Sequence, residues 1–265
     1  MLTEAIILIL AGSIVGTLSG LLGIGGGLII VPILTFVLVH FHQITFDQSI
    51  LMAIGTSLAS IVFTGGVSSF YHSKRNNMDW SIATQYIPGV LLGSTMMAFV
   101  IPHLNIAFIK HAFIVYTFFA AYEILKTPTI KSVVQLPAVF FANIYGFAIA
   151  SISTVIGIGG GTMFVPYFIY HKVKARLAVG LSSSLGIFIG LGASFGFIKN
   201  GLHVSQLPQF SIGYIYLPGL ILITSSSLIV VKLATKWIHQ LSVLSLKKIF
   251  ACLLFLIGLS MLFAG

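Results

Sequence analysis

Two short runs of glycine carry the chemistry this chain could do. Gly23-Ile24-Gly25-Gly26-Gly27 leads through apolar residues to Val31-Pro32, and Gly157-Ile158-Gly159-Gly160-Gly161 leads to Val165-Pro166 at the same spacing, 134 residues later. Three successive glycines break a helix, because each costs roughly 1 kcal/mol relative to alanine in a helix interior. Glycine also lets the backbone reach φ > 0 and lets a ligand approach peptide groups closely. A helix that begins just after such a turn presents unpaired N–H groups and the positive end of its dipole, which attract anions. Two facing turns would therefore form an electropositive cradle without a Lys or Arg in the hydrocarbon. The competing reading is that the glycines only let helices cross closely, as small residues do in membranes.

Hydroxyls near these runs extend the candidate site. Thr56, Ser57, Ser182, Ser183 and Ser184 lie in otherwise apolar stretches. They can donate to an oxyanion, or they can bond the carbonyl one turn back in their own helix. The substrate-binding set read from the sequence is Gly23, Gly25, Gly26, Gly27, Thr56 and Ser57 in the first half, with Gly157, Gly159, Gly160, Gly161, Ser182 and Ser183 in the second. Pro32 and Pro166 read as hinges or as simple kinks. Lys110, His111 and Glu123 sit at the ends of one apolar block, where snorkelling to the interface accounts for them. A proton-coupling role for His111 or Glu123 has no support from the sequence. His40-Phe41-His42 lacks a third ligand, so no metal is expected.

Several activities are excluded by what is missing. There is no Gly-x-x-x-x-Gly-Lys-[Ser/Thr] run for nucleotide phosphates. Ser182-Ser183-Ser184 lacks the Gly-x-Ser-x-Gly context of a nucleophile elbow. Four acidic residues in the whole chain leave little for acid–base pairs. The chain reads as a non-enzyme without cofactors.

The elements that hold these residues follow from composition. Of the 265 residues, 58% are hydrophobic and only 6% charged, and the mean hydropathy is +1.12. A soluble domain carries about 25% charged residues, so this is an integral membrane protein. Its apolar runs are continuous, which indicates helices rather than the alternating strands of an outer-membrane barrel. The formal charge of +9 comes mostly from loop Lys and Arg, which orient membrane proteins and need no nucleic-acid partner. The single cysteine, Cys252, makes no intrachain disulfide. Met1-Leu2-Thr3-Glu4 has no basic run or cleavage site after it, so no removable signal peptide is expected.

Eight apolar blocks are read: 5–39, 48–70, 81–101, 105–125, 135–170, 176–198, 210–231 and 246–264. The first and fifth are each roughly 52 Å as continuous helix, against a hydrocarbon core of roughly 30 Å. Each carries its glycine run near the middle, so each is one very long crossing or a bent pair. Loop charges favour the bent pair. If the fifth block returns to its starting side, then Lys74/Arg75, Lys126/Lys131, Lys172/Lys174/Arg176 and Lys232/Lys236/Lys247/Lys248 all face the cytoplasm. Ala53-Ile54-Gly55-Thr56-Ser57-Leu58 echoes Ala178-Val179-Gly180-Leu181-Ser182-Ser183, Gly65–Phe70 echoes Gly190–Phe195, and Pro88-Gly89 echoes Pro218-Gly219. Two repeats, 1–126 and 127–265, follow. With three crossings each they must be inverted, both termini outside the cytoplasm and the glycine turns meeting near the midplane. The hairpins are full crossings or half-membrane helices.

These motifs resemble the TauE/SafE family of membrane permeases, the sulfite exporter family: Gly-hydrophobic-Gly-Gly-Gly then Val-Pro in each half, Ala-x-Gly-Thr-Ser in the next helix, and Lys74, Arg75, Asp79 and Trp80 in a loop. The resemblance covers about residues 5–264. It implies transport of small sulfur-containing anions such as sulfite or sulfoacetate, and it highlights the glycines, prolines and hydroxyls named above. Leu181 stands where the first half has Thr56, so the half-sites are chemically unequal. The expectation is an all-α polytopic bundle in the cell inner (plasma) membrane, its partners a small anionic substrate and the bilayer, with a homo-oligomer left open. The alternative is a non-transporting membrane subunit or assembly protein whose glycines serve packing.

Overall fold

A computed structural model of the chain describes residues 2–22, 26–125, 135–237 and 243–263. The helices in order are α1 (Leu2–Leu22), α2 (Gly27–His42), α3 (Phe46–Lys74), α4 (Trp80–Val100), α5 (Ile106–Leu125), α6 (Val139–Ile156), α7 (Gly161–Tyr170), α8 (Ala175–Gly201), α9 (Leu217–Trp237) and α10 (Val243–Phe263). A short antiparallel ribbon, β1 (Ser211–Ile212) and β2 (Ile215–Tyr216), precedes α9. Helices dominate because each satisfies its own backbone polar groups, which lipid cannot do. Side chains close some of the ends: Asp79 Oδ1 accepts from Ser81 N at 2.9 Å at the start of α4. Among the described residues five helices are long and apolar enough to cross a membrane: α3, α4 with the turn that follows it, α5, α6 and α8. The protein is an all-α, multi-pass membrane bundle.

Both over-long blocks are bent pairs. Glu4 at the start of α1 meets His42 at the end of α2, with Oε1 and Nε2 2.9 Å apart. At the other end, a side chain at Gly26 would strike Val15 of α1. The chain therefore doubles back between α1 and α2. In the second pair, Tyr145 of α6 and Tyr167 of α7 have ring centroids 5.5 Å apart, and Ser153 Oγ lies 3.5 Å from Met163 Sδ. These contacts run in opposite order along α6 and α7, so this pair is also a hairpin. The ten residues of α7 span only about 15 Å, half the hydrocarbon thickness.

One expectation fails. The block read as 210–231 is not helical throughout, since its first residues form the β1–β2 ribbon and α9 begins at Leu217. Gly213 turns the ribbon at φ +55°, a conformation that interrupts a helix and suits glycine.

The two sequence halves interlock. α1 lies on α9, α6 on α4, α3 on α8 and α5 on α10. In the α3–α8 crossing a side chain at Gly65 would meet Ser183 O at 3.1 Å and Ile187 Cγ1 at 3.4 Å. At Gly190 it would meet Leu58 O at 2.6 Å and Val62 Cγ2 at 2.7 Å. Gly65 and Gly190, Leu58 and Ser183, and Val62 and Ile187 are each 125 positions apart, so the contacts exchange when the halves are exchanged. The boundary near residue 126 lies outside the described residues.

The bundle has two chemically distinct ends. One holds the loops at Lys74/Arg75 and Lys172/Lys174/Arg176. There the chain after α3 packs on the start of α8, since Asn77 O adjoins Gly180. The other end holds the opening of the α1–α2 hairpin, the end of α8 and the ribbon, where Tyr214 N adjoins Gly201.

Candidate functional site

The second glycine turn is fully built by its own backbone. Gly157 ends α6 in the left-handed region at φ +78°. Ile158 N donates to Ser153 O at 2.9 Å and Gly157 N to Thr154 O at 3.2 Å, the paired bonds of a Schellman cap. Gly160, at φ +72°, opens α7, and its carbonyl accepts from Met163 N and Phe164 N at 3.0 and 2.7 Å. Left-handed backbone at two of four turn residues is why glycine stands there. In the first turn Gly26 opens α2, and its carbonyl accepts from Ile29 N and Ile30 N at 3.0 and 3.1 Å. The N–H groups of Gly27 and Leu28, and those of Gly161 and Thr162, precede the first bonded turn of their helices.

The turns meet. A side chain at Gly27 would strike Gly157 O and approach Ile158 Cα at 2.9 Å. Helices α3 and α8 clasp the second turn between them. Ser57 of α3 donates to Gly157 O at 2.8 Å, Ile54 and Ile61 lie against Gly157 and Gly159, and Gly186 of α8 lies against Gly159 O. Residues 157–161 and Gly27 are buried. The contacts are apolar, hydroxyl or backbone, so any positive potential comes from peptide groups alone.

The hydroxyls divide into three kinds. Thr56, fully buried, accepts from Tyr216 N at 2.9 Å and pins the ribbon to α3. Ser57 holds the second turn, while Ser183 donates to Val179 O in its own helix and pairs with Ser68 Oγ across the crossing, both at 2.9 Å. Ser184 bonds Leu181 O. Ser182 is buried to 1% exposure, and its Oγ has no hydrogen-bond partner among the described residues. It lies on the face of α8 that carries Gly186, one turn earlier. Of the sequence candidates the structure therefore brings together Gly26, Gly27, Ser57, Gly157, Gly159, Gly160 and Gly161, with Ser182 on a flanking helix. Gly23 and Gly25 lie outside the described residues. Pro32 and Pro166 sit inside α2 and α7. Among the described residues no group of three or more His, Cys, Asp or Glu could hold a metal. An open apolar groove of about 650 Å³ lies elsewhere, between α5 and α10, lined by Phe118, Tyr122, Lys248 and Phe255 among others.

Sequence reasoning missed one polar cluster altogether. Tyr216 OH donates to Glu4 Oε1 at 2.6 Å and lies 2.9 Å from His42 Nε2. The sequence marks only Tyr216, which stands two residues before Pro218-Gly219 as Tyr86 stands before Pro88-Gly89, and that repeat does not point to Glu4 or His42.

Comparison with known proteins agrees with this architecture. The family model described as "Sulfite exporter TauE/SafE" matches residues 8–261. A "Probable membrane transporter protein" of Haemophilus influenzae is 33% identical over 98% of this chain and 99% of its own length. A protein of Methanocaldococcus jannaschii with the same description is 27% identical over 97% of this chain and 94% of its own. No solved structure matches the chain. With nearly its whole length matched, the chain belongs to the TauE/SafE family of sulfite-exporter-type membrane proteins.

Proposed function

We propose that this transporter is a secondary permease for small anions, sulfur-containing organic or inorganic ones such as sulfite or sulfoacetate, working by alternating access in the cell inner membrane. The carrying observation is the contact between two glycine turns, each at the head of a helix and drawn from a different half of the chain. Exchange of the α3–α8 contacts between halves supports two inverted repeats around that point, the arrangement in which transporter sites form at broken helices. The described basic loops share one end of the bundle, which supports a cytoplasmic assignment for that end. With Gly27 and residues 157–161 buried, an anion would reach them only when the hairpins part, as alternating access requires. An outward-moving monovalent anion gains about 2.3 kcal/mol per 100 mV of inside-negative potential, so export needs no ATP. The test is a thermal-shift screen of purified protein against sulfite, thiosulfate, sulfoacetate, sulfolactate and simple carboxylates. A ligand at 100 times its dissociation constant stabilises by about 2.7 kcal/mol. No shift with any of them counts against the site.

A second reading has its own observation. Gly27, Gly157 and Gly160 are buried where a methyl group would collide, which is what a packing role in a non-transporting membrane subunit requires. Vesicle flux separates the two, because only the first reading predicts anion movement.

A further inference from the structure

Glu4 is the one acidic residue buried below one-tenth exposure among the described residues, at 8%. It stands where three elements converge: the start of α1, the end of α2 and strand β2. Its Oε1 accepts from Tyr216 OH at 2.6 Å and faces His42 Nε2 at 2.9 Å. Tyr216 OH and His42 Nε2 are themselves 2.9 Å apart. The rings of His42 and Tyr216 meet edge-on at 5.1 Å. Tyr216 is buried, whereas the His42 side chain keeps 24% of its surface open to solution.

Burying a carboxylate costs several kcal/mol even when it is paired, and apolar side chains of similar size hold helices together as well or better. Ionisable groups kept in a membrane protein's interior mark ion and proton paths. We infer that Glu4, His42 and Tyr216 form a proton-binding site, at the end of the bundle opposite the basic loops, that couples transport to the proton gradient. The inference rests on the transporter reading above.

The chemistry balances with one proton. With His42 neutral and its proton on Nε2, that N–H donates to the Glu4 carboxylate and Nδ1 keeps the lone pair. A proton from solution binds Nδ1, and the cluster passes from one net negative charge to a neutral carboxylate–imidazolium pair. No bond other than N–H forms. Burial, reinforced by the adjoining carboxylate, pushes the Tyr216 phenol above its ordinary range, so it stays a donor throughout. The groups acting on Glu4 are His42, Tyr216 and the chain's amino group. Helix α9 has no titratable side chain from Leu217 to Val231, and α3 has only the exposed Asp47 before Tyr71. His40, on α2, is exposed and bonded to Phe36 O.

The cluster is wired to the glycine turns. Tyr216 N donates to Thr56 Oγ1 on α3, and the next residue, Ser57, holds Gly157 O. The same cluster closes the open end of the α1–α2 hairpin. Gaining or losing the ion pair thus changes both the grip on the first hairpin and the strand that anchors α3.

The experiment uses the full chain in proteoliposomes loaded with a pH dye, with radiolabelled sulfite and sulfoacetate as probes. Wild type should show anion counterflow, and an imposed pH gradient should change net flux at least fivefold, with matching proton movement. His42→Gln and Glu4→Gln should each keep counterflow but reduce the gradient effect below twofold and abolish proton movement. Tyr216→Phe, which leaves both ionisable groups, should keep proton movement. If one variant fails to fold, the other must still show the loss. Gradient-driven flux that persists unchanged in either folded variant, or wild-type counterflow without proton movement, overturns the proton site. Absence of counterflow in wild type overturns the transporter reading instead.

Discussion

The α1–α2 and α6–α7 hairpins occupy matching places in the two halves of the chain, yet they are built differently. Tyr216 and Tyr86 hold equivalent positions before the Pro-Gly pairs that open α9 and sit in α4. Tyr216 meets Glu4 and His42, a charged cluster. Tyr86 meets an aromatic one: its hydroxyl is 3.2 Å from that of Tyr167, and its ring packs edge-on against Phe164 and Phe168 at 6.4 and 5.3 Å. One hairpin end pairs a carboxylate with an imidazole, and the other gathers aromatic rings, with the His171 ring centroid 4.5 Å from that of Tyr167. A repeat can thus keep its geometry while only one copy holds a carboxylate–imidazole pair. The glycine turns differ as well. Gly26 and Gly160 are equivalent, but Gly26 has φ −70° and Gly160 has φ +72°.

The largest effect is expected where the two hairpins touch. In Gly27→Ala the added methyl meets Gly157 O, a backbone atom that no rotamer change can move. Overpacking of this kind costs about 3 kcal/mol, and most of the protein should be lost from the monodisperse peak in size-exclusion chromatography. Normal yield and melting point would show that the turns are not held in contact. Ser57→Ala comes next. It strips the buried Gly157 carbonyl of its side-chain donor and should cost about 2 kcal/mol, read as a lower melting temperature in detergent. An unchanged melting point would mean that α3 does not hold the second turn.

The third prediction sharpens the difference between equivalent glycines. Gly160→Ala forces a left-handed alanine, at about 1–2 kcal/mol, and crowds Ile189 and Phe164. Gly26→Ala keeps an ordinary φ, and its methyl strikes only a side chain, that of Val15, which must shift to admit it. The first should therefore melt lower than the second by roughly 1 kcal/mol equivalent. Equal melting points would show that the two turns share one conformation.

The bent pairs were legible because a run of three glycines breaks a helix and a block of roughly 52 Å exceeds a hydrocarbon core of roughly 30 Å, and the meeting of the turns followed from the repeat. Basic loops added the direction of return. The fate of each hydroxyl was not legible. Ser57 and Ser182 are equivalent in the repeat, and only three-dimensional packing decides that one grips a carbonyl while the other does not. The β1–β2 ribbon was hidden because Ile212, Tyr214, Ile215 and Tyr216 are as apolar as a crossing helix. Glu4 was read as part of an N-terminal run, and no local pattern pairs it with His42, 38 residues away, or Tyr216, 212 residues away.

Ser182 carries the smallest expected change in stability and the clearest statement about function. Its hydroxyl is buried without a hydrogen-bond partner among the described residues, so removing it takes away an unsatisfied polar group, and the melting temperature of Ser182→Ala should stay level or rise slightly. If the hydroxyl serves a ligand, the variant should bind sulfite or sulfoacetate at least tenfold more weakly and lose flux to match, while remaining as folded as wild type. Ser57→Ala, its equivalent, should lose stability first. A Ser182→Ala protein with unaltered anion flux would assign the hydroxyl no part in the site and leave the backbone N–H groups as its sole donors. An equal melting loss in both variants would erase the distinction between the two halves on which that assignment rests.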